Sequence, residues 1–420
     1  MPPTFEEACK RVEERRDDVV ALLRQAIAVN TVVPPGLNYD KLIDVMEPRY
    51  RAMGFVTQRV TVPEEKLKII PWPIQGPRVN LVATREWPGN AEWVTTYAHM
   101  DVVPIEEAWA HDPFAGDIVG DLMYGRGVAD MKGSMCALVI ALEVMHELGL
   151  KCHYNMVSTL CTDEEIGIYP GVRYLAEEGY VKGHVLTLES ASQDPLESLG
   201  SNGMIDFIVT TKGRSSHSGR NYKGVNAVEA LVPVMEELLK LKEVAEKRES
   251  RFPEADPDAP SKYLTPKFNL DIIQGGNKSN IVPSTCTLVV NRRFIPEERG
   301  EDVIKEFQDA VDRGRARSKA LDVDVQVVYA YPAVTYDMDS VYQEKKRAAM
   351  RAVKGYTELE RSGRGGSNDM SFVQQILHTD QFVMFGPGRM ATSNAHGANE
   401  SISVQDLVDE VKELVHYLAY

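Results

Sequence analysis

The chain predicts an α/β fold, a mostly parallel sheet flanked by helices and interrupted by a smaller α+β domain. Three observations predict it. Short apolar runs at Asn80–Thr84, Trp93–Ala98, His153–Leu160 and His184–Leu188 have the length and continuity of buried strands. Long helix-period segments alternate with strands, the pattern of a layered, largely parallel sheet. After Leu199 the order becomes strand, helix, strand, strand, helix, strand, which is the split βαβ arrangement.

Each element follows from its pattern. Residues 5–29 read as one amphipathic helix, with Val12, Val19, Val20, Leu22, Leu23 and Ile27 recurring near the helical period. Leu42–Met53 reads as a second helix and Gly54–Val62 as a strand. Ser134–Leu148 has little polar surface and reads as a buried helix. Beyond Leu199-Gly-Ser-Asn-Gly203, strands are expected at 204–211, 268–273, 285–291 and 323–331, and helices at 225–241 and 301–313. The charged, proline-bearing stretch 246–264 reads as a loop. Residues 200–332 therefore form an inserted domain. Residues 1–199 and 333–420 form the other, closed by helices near 340–353 and 404–420.

Composition narrows the function. A chain of 420 residues is long enough for two cores. Lys plus Arg number 47 against 62 Asp plus Glu, a formal charge of −15. That field repels phosphate backbones and anionic lipid, so neither nucleic acid nor a membrane surface is an expected partner. No apolar run approaches the ~20 residues of a membrane span. The N-terminus shows no signal-peptide pattern. Five scattered cysteines without a CxxC pair read as reduced thiols, so a cytoplasmic location is expected.

The chemistry-bearing residues gather at strand ends and loops, where α/β sheets bind ligands. His99 and Asp101 sit two apart at the end of a strand, so both face one side. A histidine beside a carboxylate is the usual pairing at a metal, although an isolated H-x-D is more often a core histidine. Asp130 lies in Tyr124-Gly-Arg-Gly-Val-Ala-Asp-Met-Lys-Gly133, and would otherwise be a helix cap. Glu164 and Glu165 are adjacent after a strand. One can ligate while the other, its pKa raised, takes a proton from water. The plainer reading is a solvated acidic turn. Glu189 ends an apolar strand, and His396 lies in Asn394-Ala-His-Gly-Ala-Asn-Glu400. His217 stands between Arg214 and Arg220, a setting suited to an anion rather than a metal cation. Each plain reading holds alone. Together, imidazoles and carboxylates at the ends of one layer match the needs of a two-metal hydrolase.

These motifs resemble the co-catalytic metallohydrolase family that contains aminoacylase, acetylornithine deacetylase, succinyl-diaminopimelate desuccinylase and glutamate carboxypeptidase. The markers are Ala98-His-x-Asp-Val-Val-Pro104, Trp109-x-x-x-Pro-Phe114, the 124–133 segment, Asp163-Glu-Glu-x-Gly167, Gly224-x-Asn-Ala227, Asn280-x-x-Pro283, and Phe385-Gly-Pro-Gly388 with His396 and Glu400. They span nearly the whole chain. The resemblance implies a phosphorylase/hydrolase-like catalytic domain and a ferredoxin-like lid that also forms a homodimer. It implies two divalent metals, zinc first, with manganese or cobalt as alternatives. His99 and Glu189 match ligands of one metal, Glu165 and His396 ligands of the other, and Asp130 the bridge, followed by a cis peptide to Met131. Asp101 matches the residue that orients His99, and Glu164 the general base. His217 matches the lid histidine that stabilises an oxyanion, often in the neighbouring subunit. Asn280 and Arg293 match lid residues near the substrate.

The departures fall in the lid. Asn291 replaces the usual Asp, Gly219 and Asn221 replace a serine and a proline, and 63–76 and 246–264 look inserted. The expected reaction is hydrolysis of a C–N bond in a small carboxylate-bearing substrate, an N-acyl amino acid or dipeptide-like amide. Arg214, Arg220, Arg292 and Arg293 are candidate partners of its carboxylate. The alternatives are hydrolytic deamination of an aromatic amine, as in nitroanthranilate aminohydrolase, and a non-catalytic binding protein on the same scaffold.

Overall fold

The computed structural model describes residues 2–189, 195–256, 258–387 and 389–420. The chain divides into two compact units. The first comprises 1–198, 336–361 and 373–420. The second comprises 199–335 and 362–372. The segment 362–372 thus joins the second unit, whereas the sequence alone places it in the first. Local periodicity carries no sign of which core a short return segment meets.

The first unit is built on a six-stranded sheet in the order Val56–Thr61, Val79–Arg85, Asn155–Cys161, Trp93–His99, His184–Thr187, Phe382–Met384. The last four run parallel, and the first two are antiparallel at one edge. Every residue of Asn155–Cys161 is buried, as expected of a strand covered on both faces. Helix Lys132–Glu147 packs against Trp93–His99, and helix Tyr39–Ala52 against Val79–Arg85. Helix Val404–Ala419 packs on Lys132–Glu147 and on Val341–Lys354. Within the core, Thr96 Oγ1 donates to Ser158 Oγ at 2.8 Å, and Ser158 Oγ lies 2.7 Å from Tyr50 Oη.

The single helix expected over 5–29 is two helices, Phe5–Glu14 and Arg16–Ala28. Arg15 breaks the run at φ −97° and ψ 8°. The first segment follows Val404–Ala419, the second Lys132–Glu147, and the bend lets each bury its own stripe. Arg15 then pairs with Glu143 at 2.6 Å.

The second unit carries a four-stranded antiparallel sheet in the order Lys267–Gly275, Thr285–Phe294, Gly203–Lys212, Asp322–Tyr331. Helices Ala227–Ala245 and Gly300–Arg315 bury its core, in which Phe207 stacks on Phe307 at 3.8 Å. Along Thr285–Phe294 burial alternates strictly, so one face meets the helices and the other does not. The stretch 246–264 has neither helix nor strand among its described residues. It is pinned by Phe252 and Leu264 packed with Ile295.

Candidate metal centre

Three parallel strands deliver the site. Trp93–His99 ends in His99, Asn155–Cys161 runs into Asp163, Glu164 and Glu165, and His184–Thr187 leads to Glu189. Asp130 comes from the turn before helix Lys132–Glu147, and the Asp130–Met131 peptide is cis, as expected.

The side chains converge. His99 Nε2 lies 3.2 Å from Asp130 Oδ1. His396 Nε2 lies 3.3 Å from Asp130 Oδ2 and 3.2 Å from Glu165 Oε2. Asp130 thus faces both histidines with its two oxygens, the geometry of a bridging ligand. Within the first unit, two groups of three described residues have their donor atoms within 4.8 Å of one another: His99 with Glu164 and Glu165, and Asp130 with Glu165 and His396. Glu189 brings a carboxylate oxygen within the same distance of Glu164, and belongs to neither cluster.

The surroundings fix the tautomer of His99. Its Nδ1 lies 3.1 Å from the Asp101 carbonyl oxygen and 3.8 Å from Asp101 Oδ1, a buried oxygen without a hydrogen-bond partner. A proton on Nδ1 leaves a lone pair on Nε2, aimed at the Asp130 carboxylate. Between the two, either a second proton or a metal cation must lie, and the N/O donor set suits a divalent metal. Asp101 Oδ2 accepts the Glu165 N–H at 2.8 Å, so one carboxylate orients two proposed ligands.

Electrostatics agree with cation binding. Burial opposes charge on His99, but the hydrogen bond to Asp130 and the charges of Asp101 and Glu164 hold it well above the usual range. Hydrogen bonds to Asp130 and Glu165 carry His396 up to about 10. Burial raises Glu165 to about 7, with the Asp130 charge adding to it. Burial also opposes charge on Asp130, yet the two histidines hold its carboxyl below the usual range.

Two supports escaped the sequence reading. Glu400 is buried, and its carboxylate accepts the N–H groups of Gly127, Ala129 and Asp130 at 3.0, 2.9 and 3.2 Å, and pairs with Arg126 at 2.8 Å. It shapes the turn that presents Asp130. Its place in the 394–400 motif was visible, but nothing in the sequence named its partners. Asp163, at φ 63°, is held by Tyr39 Oη at 3.0 Å and Arg78 Nε at 3.0 Å, which sets the turn that launches Glu164. His396 itself adopts φ 67°. Its loop is closed by Gly397 N–H to Asn394 O at 2.9 Å, and its carbonyl accepts Arg126 Nη2 at 3.2 Å.

The remaining candidates lie in the second unit. His217 and Asn280 meet there: Ser218 N–H donates to Asn280 O at 3.0 Å, and His217 bridges to Ile281. His217 Nδ1 accepts the Gly219 N–H at 3.1 Å, so in the neutral ring Nε2 carries the proton and is exposed. Arg214 and Arg220 are exposed, and Arg293 is half-buried. Arg292 is a correction. It is 2 % exposed, turned inward, and paired with Glu298 at 2.7 Å, so it is not available to a substrate carboxylate. Strand alternation sends it to the helix-covered face, opposite Arg293. Of the expected Phe385–Gly388 turn, Gly388 lies outside the described residues.

Residues 95–420 match the Peptidase family M20/M25/M40. The chain is 29 % identical over 408 residues to a succinyl-diaminopimelate desuccinylase of Gluconobacter oxydans, covering 93 % of this chain and 94 % of the relative. It is 22 % identical over 438 residues to an N-formyl-4-amino-5-aminomethyl-2-methylpyrimidine deformylase of Bacillus subtilis, covering 97 % and 96 %. Its fold resembles that of the dipeptidase Dug1p of Saccharomyces cerevisiae, with a TM-score of 0.76 at 16 % identity, covering 100 % and 99 %. The chain belongs to the peptidase family M20/M25/M40.

Proposed function

We propose that this hydrolase cleaves the amide of a small carboxylate-bearing substrate, an N-acyl amino acid or a dipeptide-like molecule. Its relatives include a desuccinylase and a deformylase, and dipeptidases share its fold, names that all describe the cleavage of an amide. The observation that carries the reading is Asp130 facing His99 and His396 at 3.2 and 3.3 Å, with Glu165 completing the second cluster.

Two divalent cations held by His99, Asp130, Glu165, Glu189 and His396 would polarise the scissile carbonyl and acidify a bound water. The protein's own groups do the rest. Glu164, beside Glu165 and half-buried, takes the proton of water and passes it to the leaving amine. Asp101 keeps His99 in the ligating tautomer. His217, through its Nε2 proton, donates to the developing oxyanion. Asn280 beside it, and Arg214, Arg220 and Arg293, are the candidates for holding the substrate's polar end. Zinc is the first candidate metal, with manganese and cobalt as alternatives that the same donors accept.

The second unit is proposed as the lid and the dimer contact. Its edge strand Lys267–Gly275 exposes Ile272 and Ile273, and its helix Ala227–Ala245 exposes Val232, Leu239 and Val244, apolar surface that a second copy would cover. No described helix is long and apolar enough to cross a membrane. The five cysteines are free thiols, which supports a cytoplasmic location.

Metal-stripped protein, reloaded with zinc, cobalt or manganese, is to be screened against N-acyl amino acids, dipeptides and arylamines. Release of an amino acid from an amide, dependent on added metal, is the expected result. Ammonia from an arylamine, with no amide cleaved, would replace this reading with hydrolytic deamination.

A further inference from the structure

The stretch 63–76 has no role in the chemistry above, yet its two ends reach the same loop. That loop, residues 163–169, carries Glu164 and Glu165. At one end of the stretch, Gln75 N–H donates to Pro35 O at 2.9 Å. Arg78 Nη1 donates to Gln75 O, and to Gly76 O at 3.3 Å, while Arg78 Nε donates to Asp163 Oδ2 at 3.0 Å. At the other end, Lys66 pairs with Glu177 at 2.9 Å and lies over the Tyr169 ring, 5.6 Å from its centroid. Surface insertions are ordinarily tolerated because they touch nothing essential. This one grips the loop of the proposed base from both sides.

Arg78 also links the two sides of the metal centre. Its Nη2 donates to Pro35 O at 2.7 Å and its Nη1 to Gly36 O at 2.9 Å. The loop 31–36 is itself fastened beside His99 and Asp101: Thr31 Oγ1 donates to Met100 O at 2.6 Å, and Val33 N–H to Val102 O at 3.0 Å. The ladder between Trp93–His99 and Asn155–Cys161 ends at the pair His99 and Cys161. Beyond it no strand holds the two ligand-bearing loops together, and the guanidinium spans them. Tyr39 Oη donates to the other oxygen of Asp163 at 3.0 Å. Packing there is close: a Cβ on Gly36, at φ 73°, would stand 2.7 Å from Arg78 Nη2 and 2.9 Å from Tyr39 Oη.

Arg78 and Asp163 both have 0 % side-chain exposure. A buried ion pair is a poor way to staple a loop, because apolar side chains of similar volume often stabilise a fold as well or better. What the planar fork adds is direction, since it holds several acceptors at fixed angles. Groups that do chemistry need such placement, because a misplacement of about 1 Å can cost about 10²-fold in rate.

We propose that residues 63–76, with Arg78 and Tyr39, brace the turn at Asp163 and so position Glu164 for proton transfer. Arg78 and Tyr39 are positioning residues that act through Asp163. The proposal rests on the reading of Glu164 as the general base.

The test compares Arg78→Lys and Tyr39→Phe with wild type, all zinc-loaded, each made also in a Glu164→Gln background. The substrate is the amide or arylamine that the wild type turns over in the screen above. Each variant should lose roughly tenfold to hundredfold in kcat, with KM and metal content little changed. In the Glu164→Gln background the same substitutions should cost almost nothing, because the group they position is gone. A loss that repeats undiminished there overturns the proposal, since a merely structural role weakens both backgrounds alike. Tyr39→Phe keeps the ring and its packing, and carries the comparison should Arg78→Lys not fold.

Hydrogen exchange of the zinc-loaded protein answers without a substrate. Amides of 163–167 should exchange about tenfold or more faster in both variants, with those of 199–335 unchanged. Replacing 66–73 by an equally long glycine–serine run should loosen 163–167 in the same way. Unchanged exchange at 163–167 in the point variants overturns the brace, and in the replacement it overturns the part given to 63–76. Faster exchange there in a protein that cleaves no amide would leave the brace standing and remove the amide reading. Amide cleavage with unchanged exchange would do the reverse.

Discussion

The carboxylate of Glu400 accepts the backbone N–H of Asp130 at 3.2 Å, across 270 positions of sequence. With its bonds to Gly127, Ala129 and Arg126, it holds the turn that aims Asp130 at both histidines. The same carboxylate therefore ties the integrity of the fold to occupancy of the metal centre.

Replacing Glu400 by Ala should lower the free energy of unfolding by about 3–5 kcal/mol, because it strands a buried guanidinium. Metal content should fall with it. Glu400→Gln retains an acceptor for the N–H groups and should cost less. Denaturant unfolding and elemental analysis of both variants check this; a Gln variant as destabilised as the Ala variant would contradict the N–H role.

Glu164→Gln should keep the fold and both metals while losing turnover by about 10²–10⁴-fold, the usual worth of a general base. Steady-state kinetics on protein of verified metal content measure it, and near-normal turnover would remove Glu164 from the role.

Asp130→Ala should be unable to hold two metals, since Asp130 presents one carboxylate oxygen to each histidine. Two equivalents still bound per chain would exclude the bridging assignment.

His217→Ala should lower kcat by roughly 10²–10³-fold with metal content unchanged, as expected for one lost oxyanion donor. If the histidine serves a partner chain, mixing inactive Glu164→Ala and His217→Ala proteins should restore part of the activity through mixed dimers. No recovery after verified subunit exchange would place its action within its own chain.

Metal binding should release protons and strengthen as pH rises. In the metal-free site His396 is raised to about 10 and Glu165 to about 7, so near pH 7 the histidine is protonated and the glutamate partly so. Ligation needs both deprotonated, and a rising pH removes the competing protons. Titration calorimetry in two buffers of different ionisation enthalpy should show about one or more protons released per metal pair near pH 7. Zero release would mean that the ligands are already deprotonated.

The sequence by itself determined the alternation of strands and helices, the split βαβ insertion, and the loops that carry His99, Asp130, Glu164, Glu165, Glu189 and His396. These follow from side-chain periodicity and from glycines and charged residues next to apolar runs, which act over a few residues. Only the tertiary structure decided the rest. Arg15 breaks what reads as one continuous helix, because its two halves pack on different neighbours. Arg292 looked equivalent to Arg293, but strand alternation and Glu298 bury it. Arg78 had no local signal at all, and the motif that contains Glu400 did not show what it holds, since their partners are distant carbonyls, N–H groups and carboxylates. The need to satisfy every buried charge and donor is set by the whole packed core, and no short stretch of sequence contains it.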